Sequence, residues 1–214
     1  MVHAIEAQLL LGDCMDLLTE LGQIDVYVFD LLLRGRIRPG LRVFDAGCGG
    51  GRNLVYLMRH GYDLGGNDAD SEAIARVRAQ AQALAPDAPG DFRVEAIEDT
   101  SFPAAHADVV LASAVLHFAR DHAHFEAMLR ALWRTLRPGG LFFARLASST
   151  GIEGEIDERG GGRYGLPDGS DRYLVDAERL DAWTGRLGAE LVDPLKSTVV
   201  QGQRSMATWV MRRL

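Results

Sequence analysis

A glycine-rich segment near residue 50 constrains the fold more than any other part of the chain. Residues 43–53 read Val-Phe-Asp-Ala-Gly-Cys-Gly-Gly-Gly-Arg-Asn. The apolar stretch 41–44 predicts a strand, and the apolar spacing of residues 53–59 predicts a helix that ends at Gly61. Because glycine lacks a Cβ atom, the loop between them can turn with a positive φ and let a ligand lie against its backbone. A strand, a glycine loop and a helix in this order predict a ligand site.

Predicted strands and helices alternate along the chain from residue 24 to residue 146. The strands are 41–44, 63–67, 92–96, 108–112 and 141–146, and the helices are 24–33, 53–59, 71–84 and 121–136. Such alternation with short connections is typical of a parallel sheet with helices on both faces. We therefore expect an α/β protein with a Rossmann-like, three-layer αβα sandwich.

The segments outside this core are expected to belong to the same single domain, since 214 residues suit one domain. Residues 1–40 predict an N-terminal helical cap, and residues 41–146 form the ligand-binding core. Residues 147–175 are rich in glycine and charge and predict a loop or lid. Residues 176–214 predict a helix over 176–187 and two antiparallel edge strands at 191–192 and 206–211.

Charge and hydropathy argue against several classes of partner. The net charge of −7 and the scattered arginines disfavour a nucleic acid, which calls for a basic stripe. No apolar run approaches the roughly 18 residues that a membrane helix needs. The N-terminus carries acids and lacks the basic region and the small-residue cleavage site of a signal peptide, so we expect none. Cys14 and Cys48 lie in unlike contexts, so we expect no disulfide and a cytoplasmic location.

The spacing within the glycine loop indicates the kind of ligand. A dinucleotide fingerprint places a third glycine five residues after the first, where this chain has Arg52 after Gly47. Asp45 stands two residues before Gly47. A carboxylate there is poorly suited to a pyrophosphate but suits a cationic amino group, as carried by S-adenosylmethionine.

Acidic residues after the second and third strands predict contacts with an adenosine ligand. Asp68 ends the second strand about 20 residues after the loop, where an acid can accept both ribose hydroxyls. Asp70 or Ser71 suits the cap of the next helix better than Asp68 does. After the third strand, Glu98 and Asp99 could accept the exocyclic amine of adenine, or could be solvated loop acids.

Four segments together resemble class I S-adenosylmethionine-dependent methyltransferases. They are residues 44–49, Asp68, residues 113–117 (Ser-Ala-Val-Leu-His) and residues 136–140 (Leu-Arg-Pro-Gly-Gly). Residues 51–57 and 61–63 look like the tellurite-resistance methyltransferase branch of that family. The resemblance implies a seven-stranded sheet of order 3-2-1-4-5-7-6 with the last strand antiparallel.

The resemblance also implies roles for individual residues. It places Asp45 and Gly47 near the methionine moiety, Asp68 on the ribose, and Ile97 and Glu98 at the adenine. Many relatives carry an aspartate where this chain has alanine at position 96. The candidate cofactor-binding residues are Asp45, Gly47, Cys48, Gly49, Asn53, Asn67, Asp68, Ala69, Ile97, Glu98, Asp99 and Ser113.

Methyl transfer needs few dedicated catalytic groups. The leaving group is already activated, so the protein mainly holds acceptor, methyl and sulfur in line. His117, after the fourth strand, could act as a general base or could simply be a polar residue at a strand end. Tyr27 could close over the cofactor or belong to the core. His122 and His124 lack a partner set with zinc spacing, so we expect no metal.

The acceptor is expected to be a small molecule. After the fourth strand, residues 113–116 lack the Asn-Pro-Pro-Tyr or Asp-Pro-Pro-Tyr motif of enzymes that methylate amino groups of nucleic acids. Arg145, Arg163, Arg172 and Arg204 could bind an anionic acceptor, or could be surface arginines. Of these, Arg145 and Arg204 are the candidate substrate-binding residues. We expect the protein to be a monomer or a homodimer. The alternatives are a non-catalytic module that binds S-adenosylmethionine and regulates, and an NAD-dependent oxidoreductase.

Overall fold

The computed structural model describes residues 17–214, which contain eleven strands. The strands are β1 (Arg42–Ala46), β2 (Asp63–Asp68), β3 (Asp91–Val94), β4 (Ala107–Ser113), β5 (Leu136–Ser148), β6 (Asp157–Gly160), β7 (Arg163–Gly165), β8 (Asp171–Tyr173), β9 (Ala189–Leu191), β10 (Lys196–Val200) and β11 (Arg204–Arg213). Residues 1–16, which include Cys14 and the first part of the expected cap, lie outside the described residues.

The main sheet has the strand order β10-β11-β5-β4-β1-β2-β3, and β9 also pairs with β11. The pairs from β3 through β5 are parallel, whereas β11 is antiparallel to both β5 and β10. If β9 and β10 are counted as one interrupted sixth strand, this is the expected order 3-2-1-4-5-7-6 with the last strand antiparallel. The interruption spans residues 192–195 and contains Pro194, which has no backbone N–H to donate to the sheet.

Within residues 17–214, five helices of fully described bounds cover the two faces of this sheet, and residues 17–21 are also helical. The five helices are α1 (Val26–Leu33), α2 (Val55–Arg59), α3 (Ser71–Leu84), α4 (His122–Thr135) and α5 (Ala177–Arg186), and a short 3₁₀ turn spans Leu116–Phe118. Consecutive strand residues alternate between the faces. Phe44 and Phe142 belong to one apolar core with α4 and α5, whereas Val43 and Phe143 belong to the other with α1, α2 and α3. The predicted three-layer sandwich is therefore confirmed.

Aspartate side chains cap four of these helices, Asp25 at α1 and three others. Asp70 accepts a hydrogen bond from the Glu72 amide (2.8 Å) before α3, Asp121 from the His124 amide (2.8 Å) before α4, and Asp176 from the Arg179 amide (2.7 Å) before α5. Each side chain satisfies a donor that the first helical turn leaves without an intrahelical partner. Since Asp70 caps α3, Asp68 is left to other contacts, as the sequence indicated.

The segment predicted as a loop or lid, residues 147–175, instead contains three short strands. β6, β7 and β8 form a separate three-stranded antiparallel sheet, here called the small sheet. It packs on the main sheet through Ile152, Leu166 and Leu174. Its strands are three or four residues long and rich in charged residues, and Tyr173 is the one buried residue in them, so they lack the apolar alternation that identifies a strand in a sequence. The strand β10 was missed as well.

Within residues 17–214, no helix is long and apolar enough to cross a membrane.

Candidate functional site

The glycine loop joins β1 to α2 and is fastened to the end of β2. Gly47, Gly49 and Gly51 have positive φ values of 59°, 53° and 84°. A Cβ atom on Gly51 would lie 2.7 Å from Val77 Cγ2, and one on Gly47 would overlap the Val115 side chain. The Gly49 amide donates to Asp68 Oδ2 at 2.9 Å. The loop therefore requires glycine both for its turn and for its close packing.

Asp45, at the end of β1, is a buried carboxyl group beneath this loop. Burial raises its pKa to about 7, although nearby Arg52 and a hydrogen bond with Asn53 oppose the shift. Its Oδ2 atom has no hydrogen-bond partner among the described residues. A cationic group next to Asp45 would stabilise the carboxylate and satisfy that oxygen.

Two connected clefts open on either side of Gly47. One, of about 350 Å³, lies over the ends of β2 and β3, and the other, of about 640 Å³, lies over the glycine loop and the end of β4. Gly47 and Ala114 line both. Of the predicted cofactor residues, the first cleft contains Gly47, Asp68, Ala69, Ile97 and Glu98, and the second contains Gly47, Cys48, Gly49 and Ser113.

The other four predicted cofactor residues do not line these clefts. Asp45 is buried below the loop, and Asn53 Oδ1 accepts the Asp25 amide at 3.0 Å. Asn67 is buried and donates to the Ala96 carbonyl at 3.3 Å. Asp99 is exposed in the turn that follows β3. Asn53 and Asn67 thus hold the backbone around the clefts in place.

The Glu98 side chain is held in place by a neighbouring histidine. His124 Nε2 lies 2.7 Å from Glu98 Oε1, and the Arg120 guanidinium lies 3.7 Å from the same oxygen. Burial alone would raise the pKa of Glu98, but its backbone hydrogen bond and His124 together lower it. Glu98 therefore presents an ionised acceptor to the cleft over β2 and β3.

A third cavity, of about 330 Å³, adjoins the cleft over the glycine loop and is here called the side cavity. Arg52 and Ala114 line both spaces. Ala114 has a positive φ of 62°, and its amide donates to the Arg145 carbonyl at 2.7 Å. Three of the four predicted substrate or catalytic residues line the side cavity, namely His117, Arg145 and Arg204.

His117 is buried in the side cavity as a neutral imidazole. Its Nδ1 accepts the Ala147 amide at 3.2 Å, which leaves the ring proton on Nε2. Burial, with Arg172 and Arg145 nearby, lowers its pKa to about 4. Near neutral pH, this ring can donate a hydrogen bond from Nε2.

This buried histidine should make the protein sensitive to acid. In the unfolded chain its pKa is about 6.5, so below that pH only the unfolded chain takes up the proton. The contribution of neutral His117 to the free energy of unfolding is complete above about pH 6.5 and is lost as the pH falls toward 4. We expect His117→Asn, which keeps an acceptor for Ala147, to lose about 2 kcal/mol less stability than the parent between pH 7 and pH 4.5. Urea unfolding at both pH values measures this, and equal losses in the two proteins would contradict it.

Asp25 joins the N-terminal segment to the site, and the sequence did not single it out. Its side chain is 1% exposed, and its Oδ1 caps α1 by accepting the Tyr27 amide at 2.9 Å. Its Oδ2 lies 3.0 Å from Arg145 Nη1 and 3.3 Å from Ser113 Oγ, and 4.0 Å from Arg52 Nη2. One carboxylate thus links α1 to β4, β5 and the glycine loop. Only its position before an apolar helical stretch could have suggested a role, as a cap.

Three other candidate residues lie beside the cavities without lining them. The Tyr27 hydroxyl is 2.9 Å from Thr198 Oγ1, and the Arg145 guanidinium lies 5.5 Å from the Tyr27 ring centroid. Arg163 donates to the Ala119 carbonyl and pairs with Asp171. His122 is 3.0 Å from the Tyr173 hydroxyl. Within the described part of the chain, no group of three histidine, cysteine or acidic residues could hold a metal ion.

Comparison with known proteins identifies the core of this fold. Residues 44–144 match the model of the family described as "Methyltransferase domain". This part of the chain is therefore similar to a methyltransferase domain. The matched residues begin inside β1 and end inside β5, so they contain the glycine loop, Asp68 and His117.

A sequence relative and two solved structures illustrate the similarity of this chain to known proteins. A ubiquinone biosynthesis O-methyltransferase of Methylocella silvestris is 38% identical over 125 residues, which cover 56% of this chain and 46% of that protein. The 1,6-didemethyltoxoflavin-N1-methyltransferase of Burkholderia thailandensis, with bound 1,6-didemethyltoxoflavin and S-adenosylhomocysteine, has a TM-score of 0.69 at 18% identity and covers 94% of this chain and 83% of that one. TehB of Haemophilus influenzae has a TM-score of 0.66 at 18% identity and covers 89% and 63% of the two chains.

These comparisons confirm the predicted Rossmann-like fold, which this chain shares with solved methyltransferase structures. The chain spans about half the length of the curated relatives that it matches first. At below 25% identity, the solved structures show a shared fold. The tellurite-resistance branch therefore stays a prediction.

Proposed function

We propose that this chain transfers a methyl group from S-adenosylmethionine to a small-molecule acceptor. The observation that carries the proposal is the junction at Ala114, where the clefts around Gly47 meet the separate side cavity. A cofactor in the clefts and an acceptor in the side cavity would have their reacting ends next to each other. Such placement supplies much of the acceleration in a displacement reaction.

The residues of the two clefts suit S-adenosylmethionine. Asp45 has an unsatisfied buried oxygen near which an ammonium would be favourable. The Gly47 backbone has no Cβ atom that would keep the methionine portion away. Asp68 can accept the ribose hydroxyls, because its two oxygens each have a lone pair beyond the bonds to the Gly49 and Asp70 amides. Ile97 and Glu98 would meet the adenine.

The chemistry then asks little more of the protein than positioning. When bound, S-adenosylmethionine would supply a methyl group on a sulfonium, and the leaving group, a neutral thioether, would need no further activation. Arg52 and Ala114 would align the acceptor at the junction, and His117 would hold it by donating from Nε2. The small sheet, through Leu166 and Arg172, forms one wall of the side cavity and would exclude water. A general base is needed only for an acceptor that must lose a proton first.

Two other functions fit less of the site. A regulatory module that binds S-adenosylmethionine would have no use for a separate cavity at Ala114. An NAD-dependent oxidoreductase would need a pyrophosphate beside the loop, where Asp45 is unfavourable and the third glycine of the fingerprint is missing. We further propose a cytoplasmic monomer or homodimer. The net charge of −7 supports the absence of a nucleic-acid partner.

Calorimetric titration with S-adenosylmethionine, S-adenosylhomocysteine and NAD tests the cofactor. We expect saturable binding of the first two only. At pH 6, binding should release up to one proton from Asp45, since its pKa of about 7 falls when an ammonium lies beside it. The apparent enthalpy would then depend on the ionisation enthalpy of the buffer. Preference for NAD would overturn the proposal, and binding without S-adenosylhomocysteine formation across a broad panel of small molecules would favour the regulatory module.

A further inference from the structure

The side cavity carries an excess of positive charge in an acidic protein. Four arginines line it, whereas Asp168 is the acidic side chain on its walls in the described part of the chain. A second carboxylate, Asp25, lies behind the wall and pairs with Arg145. Two carboxylates against four guanidinium groups leave two positive charges in a protein whose net charge is −7. The lining arginines are Arg52, Arg145, Arg172 and Arg204.

We propose that the acceptor carries an oxyanion, a carboxylate or a phosphate, which Arg172 and Arg204 bind in this cavity. The role of this anion as the methyl acceptor rests on the proposed function, whereas the anion site itself does not. Guanidinium groups hold carboxylates and phosphates in bidentate geometry and remain charged at any physiological pH.

Donors without partners support an anionic occupant. Ser205 is fully buried, and its Oγ has no hydrogen-bond partner within residues 17–214. The Nε atom of Arg145 is also buried without a partner in that part of the chain. His117, which also lines the cavity, would add its Nε2 proton. Buried donors that lack partners are unfavourable unless a ligand supplies acceptors.

The two proposed anion-binding arginines approach from different elements. Arg172 belongs to β8 and lies over the Phe118 ring, 4.9 Å from its centroid, while its Nη1 donates to the Asp171 carbonyl at 2.8 Å. This holds the guanidinium in place and leaves its other donors for a ligand. Arg204 begins β11, directly before Ser205, and is exposed. Together they contribute to a lowered pKa of Asp168, after the hydrogen bonds from Ser170.

The dimensions of the side cavity suit a compact anion. A volume of about 330 Å³ is at the lower end of the range for small-molecule sites. With the oxyanion at Arg172 and Arg204, the rest of the acceptor would extend toward Ala114. Its nucleophilic atom would then reach the junction with the cofactor clefts.

The test is calorimetric titration at constant ionic strength, with and without saturating S-adenosylhomocysteine. The probes are inorganic phosphate, glutarate and the neutral analogue glutaramide. We expect saturable binding of at least one anion and none of glutaramide. Arg204→Gln should weaken binding about tenfold or more, because a charge-assisted hydrogen bond is lost. Arg159→Gln, an exposed arginine of β6 outside the cavity, should leave the affinity unchanged.

A second variant separates ligand binding from folding. Ser205→Ala removes a hydroxyl that has no partner, so the melting temperature should not fall while anion binding weakens severalfold. Tighter binding of inorganic phosphate would indicate a phosphate group on the acceptor, and tighter binding of glutarate would indicate a carboxylate. Absence of saturable anion binding, or equal affinities in Arg204→Gln and Arg159→Gln, would overturn the inference. If anions bind as expected but S-adenosylhomocysteine does not, the anion site stands and the proposed function fails; the reverse result leaves the proposed function and removes the anion site.

Discussion

Replacing Asp68 with alanine is expected to weaken the binding of S-adenosylmethionine about 100-fold or more. The carboxylate would lose two hydrogen bonds to the ribose, each of about 1.5–3 kcal/mol because the acceptor is charged. The Gly49 amide would also lose its bond to Asp68, so the glycine loop would no longer be fastened to β2. Calorimetry with the purified variant measures the change in dissociation constant.

Asp70→Ala is the matched control for this experiment. Asp70 lies two residues away and caps α3, so its loss should lower the free energy of unfolding by about 1 kcal/mol. Its side chain does not line the cofactor clefts, and the affinity should change less than about threefold. An Asp68→Ala protein that binds as tightly as Asp70→Ala would remove Asp68 from the proposed ribose site.

The largest effect on stability is expected from Asp25→Ala. Removing one member of a buried ion pair leaves Arg145 without its partner carboxylate and costs about 3–5 kcal/mol. The variant also removes the cap of α1 and the acceptor for Ser113. For a chain of this length, the melting temperature should fall by about 10 °C.

Two variants isolate the cause of that loss. Asp30→Ala removes a carboxylate in the same helix, where the ion pair with Arg34 is exposed, and should cost less than about 0.5 kcal/mol. Asp25→Asn keeps an oxygen for the Tyr27 amide but carries no charge, so its stability should lie between those of the parent and Asp25→Ala. Scanning calorimetry compares all four proteins. If Asp25→Ala melts within 2–3 °C of Asp30→Ala, a difference of about 1 kcal/mol, the buried ion pair does not stabilise the fold.

The sequence predicted those parts of the fold and site that depend on local patterns. The glycine loop, the position of Asp68 at a strand end and the cap at Asp121 are each written in a few neighbouring residues. Short connections between alternating elements predicted the parallel core, because such connections permit few arrangements. Only the resemblance to a known family implied the order of the last two strands.

Other features depend on residues that are far apart in the chain. Asp25 meets Ser113 and Arg145, which are 88 and 120 residues away, so no local pattern predicts the ion pair. The arginines of the side cavity likewise come from four separate elements or loops. The small sheet was missed because its strands have only three or four residues and show no apolar alternation.

The break in the sixth strand has a consequence for how these molecules behave at high concentration. β9 and β10 have three and five residues, and between them Asp193 turns inward to bond Arg34 and Arg36 at 3.0 Å. At the opposite margin, β3 has only four residues. Long, flat sheet margins are templates on which a strand of another molecule can pair and start aggregation. Neither edge of the main sheet offers a long, flat strand of this kind, so high protein concentration should not cause these sheets to pair edge to edge.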